Sequence, residues 1–460
     1  MTQALEGFAY SSAQFDELIH LAFASAKKLG AADCAASVSE GAGLSVSTRM
    51  NQLENVERNR DKSLSVTVYL GEQRGNAATS DFSAAAIAQT VQAAYDIARF
   101  TSADPFGRLP DQADMATAQE AARDLDLFHP WGVDSAEATA LALRCERAAL
   151  LLDPRLKNSD GASVSAQQSH FRMAYMRGGK QDFLAGYASS RHSISVAPIA
   201  VDSRGDMQRD YWFSSERSAS DLATPEAIGR YAAQRTLSRL GARKIKTQTC
   251  PVLFDAPIAA GLLGAFTQAV SGGALYRKTT FLGDSLGKRI FPKHIEILED
   301  PFVLGGKGSS PFDDEGCRVR ARTVVGAGVV EGYFLSSYSA RKLGVRTTGN
   351  SGGSHNLVMQ SSRTKAGDDL DAMLRKLGTG LFVTELMGQG VNYVSGDYSR
   401  GASGFWVENG VIAYPVHEIT IASNMREMFR QIVGIGSDVY TYGGKAIGSV
   451  LLSQMRIAGN

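Results

Sequence analysis

What this 460-residue chain lacks already narrows its function. Its cysteines, Cys34, Cys145, Cys250 and Cys317, form no CxxC pair and no metal-ligand spacing, so they read as buried reduced thiols rather than a disulfide framework. The histidines at 20, 129, 170, 192, 294, 355 and 417 never stand three, four or five apart, so no single helix can offer two imidazoles to one zinc. Neither charge sign dominates: 48 Lys and Arg against 47 Asp and Glu give a formal net charge of +1. With no basic run either, there is no general field for nucleic acid, which argues against direct DNA binding as the main activity. No stretch of about 18 apolar residues runs unbroken, and no basic segment followed by an apolar one opens the chain, so a membrane location is not expected and a cytoplasmic one is. Internal repeats and low-complexity tracts are also missing, which removes solenoid and disordered readings.

What is present is ordinary soluble-protein composition, 44% hydrophobic and 21% charged, in a chain too long for one core. Apolar spacing predicts helices over Phe15 to Leu29, Ser83 to Phe100 with Asp81 or Ser83 as N-cap, Ser135 to Leu152, and Asp221 to Leu240. Strands are expected at Cys34 to Glu40, Gly43 to Arg49, Leu64 to Leu70, Val164 to Ala174 and Asp182 to Val201. An acidic connector covers 101–130. The texture changes after the basic cluster Arg239 to Lys246. This places an N-terminal α/β domain at 1–245 and a β-rich, barrel-like domain at 246–460, an α+β fold overall. The second domain opens with a strand, Pro251 to Phe254, and an apolar helix, Ala256 to Val270. Further helices are expected at Asp368 to Leu377 and Asn424 to Ile432.

The densest signal is Leu381 to Tyr414. An apolar run, Leu381 to Met387, enters a loop with five glycines around Asp397, Tyr398, Ser399 and Arg400. A second run, Phe405 to Val407, then turns at Asn409-Gly410 into a third, Val411 to Tyr414. Asn-Gly between β-forming runs is a strong hairpin signal. The loop could let a ligand or another chain come close, or it could be a barrel corner with a surface ion pair.

Other candidate chemistry is weaker. Arg277 and Lys278 follow Gly272-Gly273 and could grip a carboxylate, a phosphate or a peptide carbonyl. The nearby Gly283, Gly287 and Lys288 do not match a phosphate loop, since the glycines are four apart and Arg289 follows the lysine. Ser339 and Lys342 fit Ser-x-x-Lys, but no accompanying Ser-Asp-Asn or Lys-Thr-Gly element is present, so this reads as chance. His355 lies in a glycine-rich loop and reads as a hydrogen-bonding surface residue rather than a catalyst.

Taken together, GLSVSTR (43–49), ENVERN (54–59), DLDLFHP (124–130), RDY (209–211), YRKTTFLGDSLGKRI (276–290), SSYSARKLG (336–344), TELMGQG (384–390), GDYSRGASGFWVENG (396–410) and the C-terminal MRIAGN resemble the TldD/PmbA family in order along nearly the whole chain. The resemblance is to the PmbA, or TldE, branch. It implies a two-domain TldD/PmbA-like fold and a cytoplasmic metallopeptidase complex pairing a TldD-type with a PmbA-type subunit. It also implies links to proteolysis of unfolded or precursor peptides and to modulation of DNA gyrase toxins.

In TldD-type subunits a helix bears HExxxH, whose histidines bind zinc and whose glutamate is the general base. Here the matching positions read Gly264, Ala265 and Ala269, and where that branch has a Cys-Gly metal ligand this chain reads Ile447-Gly448-Ser449. The expectation is therefore no metal and no catalytic residue on this chain, with zinc on a TldD-like partner. Arg277, Lys278, Asp397, Tyr398 and Arg400 are expected to face a peptide or the partner, and the isolated chain is expected to self-associate as a homodimer. The alternatives are a stand-alone peptidase with an unrecognised site, or a regulator acting on gyrase.

Overall fold

The computed structural model describes residues 6–459, so Asn460, the last residue of MRIAGN, lies outside the described residues. The chain divides into two compact units. One comprises residues up to Val201, Arg209–Leu237 and Glu315–Arg318. The other comprises Asp202–Gln208, Ser238–Asp314 and the chain from Val319 onward.

The first unit starts with α1 (Ser12–Lys28), whose N-terminal N–H groups are satisfied by a capping box between Ser11 and Gln14. Its apolar stripe, Phe15, Ile19, Ala22, Phe23 and Ala26, is buried. β1 (Asp33–Arg49), β2 (Gln52–Leu70) and β3 (Gln73–Thr79) follow. β1 alternates buried and half-buried side chains, so Cys34, Ala36 and Val38 join α1 and α2 (Ala84–Phe100) in one core. Ser83 is the residue that caps α2. The connector holds a 3₁₀ turn, Gln112–Asp114, and the short α3 (Ala118–Ala121). α4 (Ser135–Leu150) is capped by Asp134.

β4 (Leu156–Arg177), β5 (Lys180–Ala185), β6 (Ala188–Val201), the short β7 (Met207–Arg209), β8 (Trp212–Glu216) and α5 (Pro225–Ser238) complete this part of the chain. The sheet order is β3-β2-β1-β4-β6, with β5 added to β4 and β8 to β6. Two strands expected at Cys34 to Glu40 and Gly43 to Arg49 are one. Residues Gly41 to Gly43 stay in register with Asp61 to Asn59 on one side and Ser169 to Gln167 on the other. The small residues there make room for side chains rather than a turn, since a Cβ on Gly43 would lie 2.1 Å from Gln167 Oε1.

The second unit opens with β9 (Gln248–Phe254) and α6 (Ala256–Ala269), followed by α7 (Gly272–Tyr276), β10 (Ile295–Asp300), β11 (Arg322–Gly326), β12 (Val329–Val330), α8 (Ser337–Lys342) and β13 (Asn356–Ser361). After α9 (Leu370–Leu377) come β14 (Gly380–Met387), β15 (Asp397–Glu408), β16 (Val411–Asn424), α10 (Met425–Arg430), β17 (Ile432–Ile435), β18 (Tyr440–Tyr442), β19 (Lys445–Ile447) and β20 (Val450–Ala458). The ring β16-β15-β14-β9-β20 closes through antiparallel pairing of β16 with β20, giving a five-stranded barrel with β17 attached to β20. A second sheet runs β12-β11-β10-β13-β19-β18.

α6 is apolar on nearly every side, which is the signature of a buried helix. Its Phe266 packs against Phe291 and Phe429 at ring separations of 5.3 and 6.1 Å. No described helix is long and apolar enough to cross a membrane.

In the first unit α2 lies directly on β3. A Cβ on Gly75 would come within 2.1 Å of Ala94 O and 2.4 Å of Ala98 N, so only glycine permits this approach. Gly75→Val is expected to destabilise the protein by about 1–3 kcal/mol through overpacking, seen as a lower urea midpoint. A wild-type midpoint would mean that the helix does not press on the strand there.

Candidate functional site

Asp397 to Arg400 had been read as part of a loop, but they open strand β15, in register with Asn424 to Ile421 of β16. The loop proper is 388–396, and it folds back along the start of that strand. Ser399 N donates to Gly390 O at 2.8 Å, Asn392 N donates to Asp397 O at 2.8 Å, and Val391 bridges to Tyr398. Gly390 permits the closeness, because a Cβ there would lie 1.8 Å from Ser399 O. Phe281 N anchors the far side of the loop by donating to Tyr393 O at 2.7 Å.

Strand alternation then sorts the polar tetrad. Asp397 and Ser399 are exposed, whereas Tyr398 is buried and Arg400 half-buried on the other face. Asp397 accepts from Ser395 Oγ at 2.7 Å and from Asn424 Nδ2 at 3.3 Å, and these bonds hold its carboxyl below the usual range. Tyr398 and Arg400 instead line a cavity of about 110 Å³ under the loop. One face of α6 forms the opposite wall, through Ile258, Gly261, Leu262 and Ala265. The spacing i, i+3, i+4, i+7 is that of a single helical stripe. Leu386, Val391 and Tyr393 add further apolar surface, and no acidic residue lines the cavity.

The electrostatics of this cavity are unusual. Tyr398 is only 3% exposed, and burial pushes its hydroxyl up to about 12, with the Arg400 charge working against that rise. Burial likewise raises Tyr393, again opposed by Arg400. Arg400 lies close enough to Tyr398 to oppose the rise by hydrogen bonding as well, yet neither Tyr398 Oη nor Arg400 Nε has a partner in good hydrogen-bond geometry. Leaving such groups unsatisfied costs about 1–3 kcal/mol each, and more for a charged one.

Arg277 and Lys278 are both exposed at the end of α7. Arg277 donates to the neighbouring Tyr276 Oη at 3.0 Å and lies over that ring, and Lys278 takes a positive φ of 56°. Neither lines the cavity. The residues that sequence reasoning missed are the α6 stripe and Tyr393. The stripe could have been found, since it recurs at helical spacing on a helix already recognised.

The positions matching the metal motif lie on this same helix. Gly264, Ala265 and Ala269 carry no donor atom, and a Cβ on Gly264 would meet Lys445 Cε at 3.8 Å. The Lys445 stem thus lies in ordinary contact distance of that position. Ser449 is fully buried, with its hydroxyl donating to Asp438 Oδ1 at 3.0 Å. Among the described residues of this unit taken alone, no three His, Cys, Asp or Glu side chains bring ligand atoms together around one point.

Two remaining candidates resolve structurally. Ser336 and Ser339 form the capping box of α8, Ser339 N donating to Ser336 Oγ at 3.2 Å, so Ser-x-x-Lys here is a helix start. His355 is buried rather than on the surface. Its N–H and Nδ1 lie 2.9 and 3.0 Å from Glu299 Oε1, while Asn350 Nδ2 donates to the same oxygen and Arg322 Nε to Oε2 at 2.7 Å. Burial alone would raise the Glu299 carboxyl, but the His355 hydrogen bonds and the Arg322 charge reverse this and hold it at about 2.

The chain matches the PmbA/TldA metallopeptidase domain 1 over residues 34–98, the central domain over 128–240 and the C-terminal domain over 247–459. It is 49% identical to Metalloprotease PmbA of Escherichia coli O157:H7 over 92% of this chain and 91% of that one. Its fold is similar to that of a candidate modulator of DNA gyrase from Bacteroides thetaiotaomicron, with a TM-score of 0.88, 22% identity and full coverage of both chains. It is also similar to TldE of Thermococcus kodakarensis, with a TM-score of 0.80 and 18% identity over 96% of this chain and 99% of that one.

The Glu299 network predicts an acid limb. Its folded carboxyl sits at about 2 against an ordinary 4.5, so its contribution, on the order of 3 kcal/mol, is present above pH 4.5 and disappears as pH falls towards 2. Glu299→Gln should lower stability at pH 7 and flatten that limb in urea midpoints measured from pH 7 to 2. Parallel limbs for the two proteins would contradict the assignment.

Proposed function

The chain belongs to the PmbA/TldA metallopeptidase family, and we propose that it serves there as a PmbA/TldE-like subunit without metal chemistry of its own. One observation carries this reading. α6 presents Gly264, Ala265 and Ala269, with the Lys445 stem beside the first, where metal ligands and a general base are required. A dication needs lone-pair donors and is disfavoured next to a lysine. The family's metal does not fit this helix.

In this reading a TldD-like subunit supplies zinc and the base for hydrolysis of unfolded or precursor peptides in the cytoplasm. This chain shapes the chamber that receives them. Tyr398 and Arg400, at a cavity, are suited to touch a peptide. Arg277 and Lys278, exposed on the end of a short helix, are suited to a partner's carboxylates, and the exposed Asp397 to a partner's cations or backbone N–H groups. A homodimer of the isolated chain would use the same surfaces. A second reading, regulation of gyrase by direct protein contact, is supported by the designation of the Bacteroides thetaiotaomicron protein of the same fold. A stand-alone peptidase would need donors that α6 does not offer.

Coexpression with an HExxxH-bearing paralogue should give a stable complex with chelator-sensitive peptidase activity, while the purified chain alone holds no stoichiometric zinc and cleaves nothing. Stoichiometric zinc with cleavage by the chain alone would sink the proposal. Recovery of gyrase without an HExxxH-bearing partner would favour the second reading.

A further inference from the structure

We propose that the cavity between α6 and the 388–396 loop binds the C-terminal residue of a peptide, holding its α-carboxylate on Arg400 and Tyr398 and a short aliphatic side chain against the helix. This rests on the reading that Tyr398 and Arg400 face a ligand, but not on the identity of any partner subunit.

The chemistry follows from what the cavity offers and what it leaves open. Tyr398 Oη and Arg400 lie close enough to interact, yet neither Tyr398 Oη nor Arg400 Nε has a partner in good hydrogen-bond geometry, and Arg400 makes no ion pair among the described residues. Buried polar groups in folded proteins are almost always satisfied, so two orphans side by side at a cavity point to a ligand that completes them. Both can donate, and their side chains line a space with no carboxylate in its lining. The missing partner is therefore an acceptor bearing negative charge. A planar guanidinium pairs best with a carboxylate or a phosphate.

Size and polarity decide between those two. An apolar cavity of about 150 Å³ takes benzene, so one of about 110 Å³ takes about five non-hydrogen atoms, such as a carboxylate with its Cα and a small alkyl group. The wall made by Ile258, Leu262 and Ala265 suits that alkyl group and would strip water from a phosphate without replacing it. A free amino acid would carry its ammonium into the neighbourhood of Arg400, whereas a peptide presents a neutral amide there.

Gly261 supplies the control. It sits in the lining, exposed, with nothing within 4 Å of an added Cβ, so Gly261→Leu enters open space at its Cβ, projects into the cavity and raises helix propensity.

The test is calorimetric titration of the full-length isolated chain with N-acetyl-L-alanine, N-acetyl-L-alaninamide and free L-alanine. N-acetyl-L-alanine should bind with a millimolar Kd, and the amide and free alanine at least tenfold more weakly. Arg400→Gln should lose at least tenfold and Tyr398→Phe about threefold. Gly261→Leu should abolish binding while unfolding at a urea midpoint no lower than wild type, which separates occlusion from misfolding. The proposal is overturned if N-acetyl-L-alanine does not bind the wild-type chain, if the amide or free alanine binds as well, or if Arg400→Gln or Gly261→Leu binds like wild type. Because no partner is present, these outcomes stand apart from whether a two-subunit complex forms.

Discussion

The burial of α6 is the constraint on which the candidate site depends. Phe266 is gripped by Phe291 and Phe429, and Leu263 and Ala269 are fully buried in the same core, so the helix cannot rotate without breaking aromatic packing. That fixes its other stripe, Ile258, Gly261, Leu262 and Ala265, as a rigid wall. The opposite wall is equally constrained, since β15 is paired on both edges and the 388–396 loop is tied to it by backbone hydrogen bonds. A small preformed space between two rigid walls is the arrangement that binds with little ordering entropy.

The same helix explains why metal chemistry and this cavity do not coincide. An HExxxH-type centre needs two imidazoles and a carboxylate projecting from this helix, and each would fill space. With Gly261, Gly264, Ala265 and Ala269, α6 has no such projection. What remains on the strand side is a cation and a hydroxyl without partners.

Much of this was legible in the sequence where the signal is local. Asn409-Gly410 turns the hairpin as expected, with φ of 52° and 78°. The α6 helix, α2 with its Ser83 cap and the burial of the four cysteines also follow from nearest-neighbour chemistry. What the sequence concealed is non-local. Barrel closure depends on β16 pairing with β20 and on parallel β9 and β14, contacts no window can contain. Gly41 and Gly43 looked like a break because glycine usually marks one, yet the strand runs on through both and Gly43 admits the Gln167 and Asn59 side chains. The tetrad at Asp397 looked like a loop because glycines surround it. Only strand pairing shows that Asp397 and Tyr398 face opposite ways. His355 looked exposed in a polar loop, since its partner Glu299 lies 56 residues away.

The division of labour between two subunits is the central claim, and inactivating the partner alone tests it most directly. In a reconstituted complex with an HExxxH-bearing paralogue, only the glutamate of that motif is replaced by glutamine, and peptide cleavage and complex assembly are both measured. The account predicts an intact complex with cleavage abolished. Cleavage persisting near the unmodified rate would contradict it, because the base would then have to come from a chain whose own helix carries none.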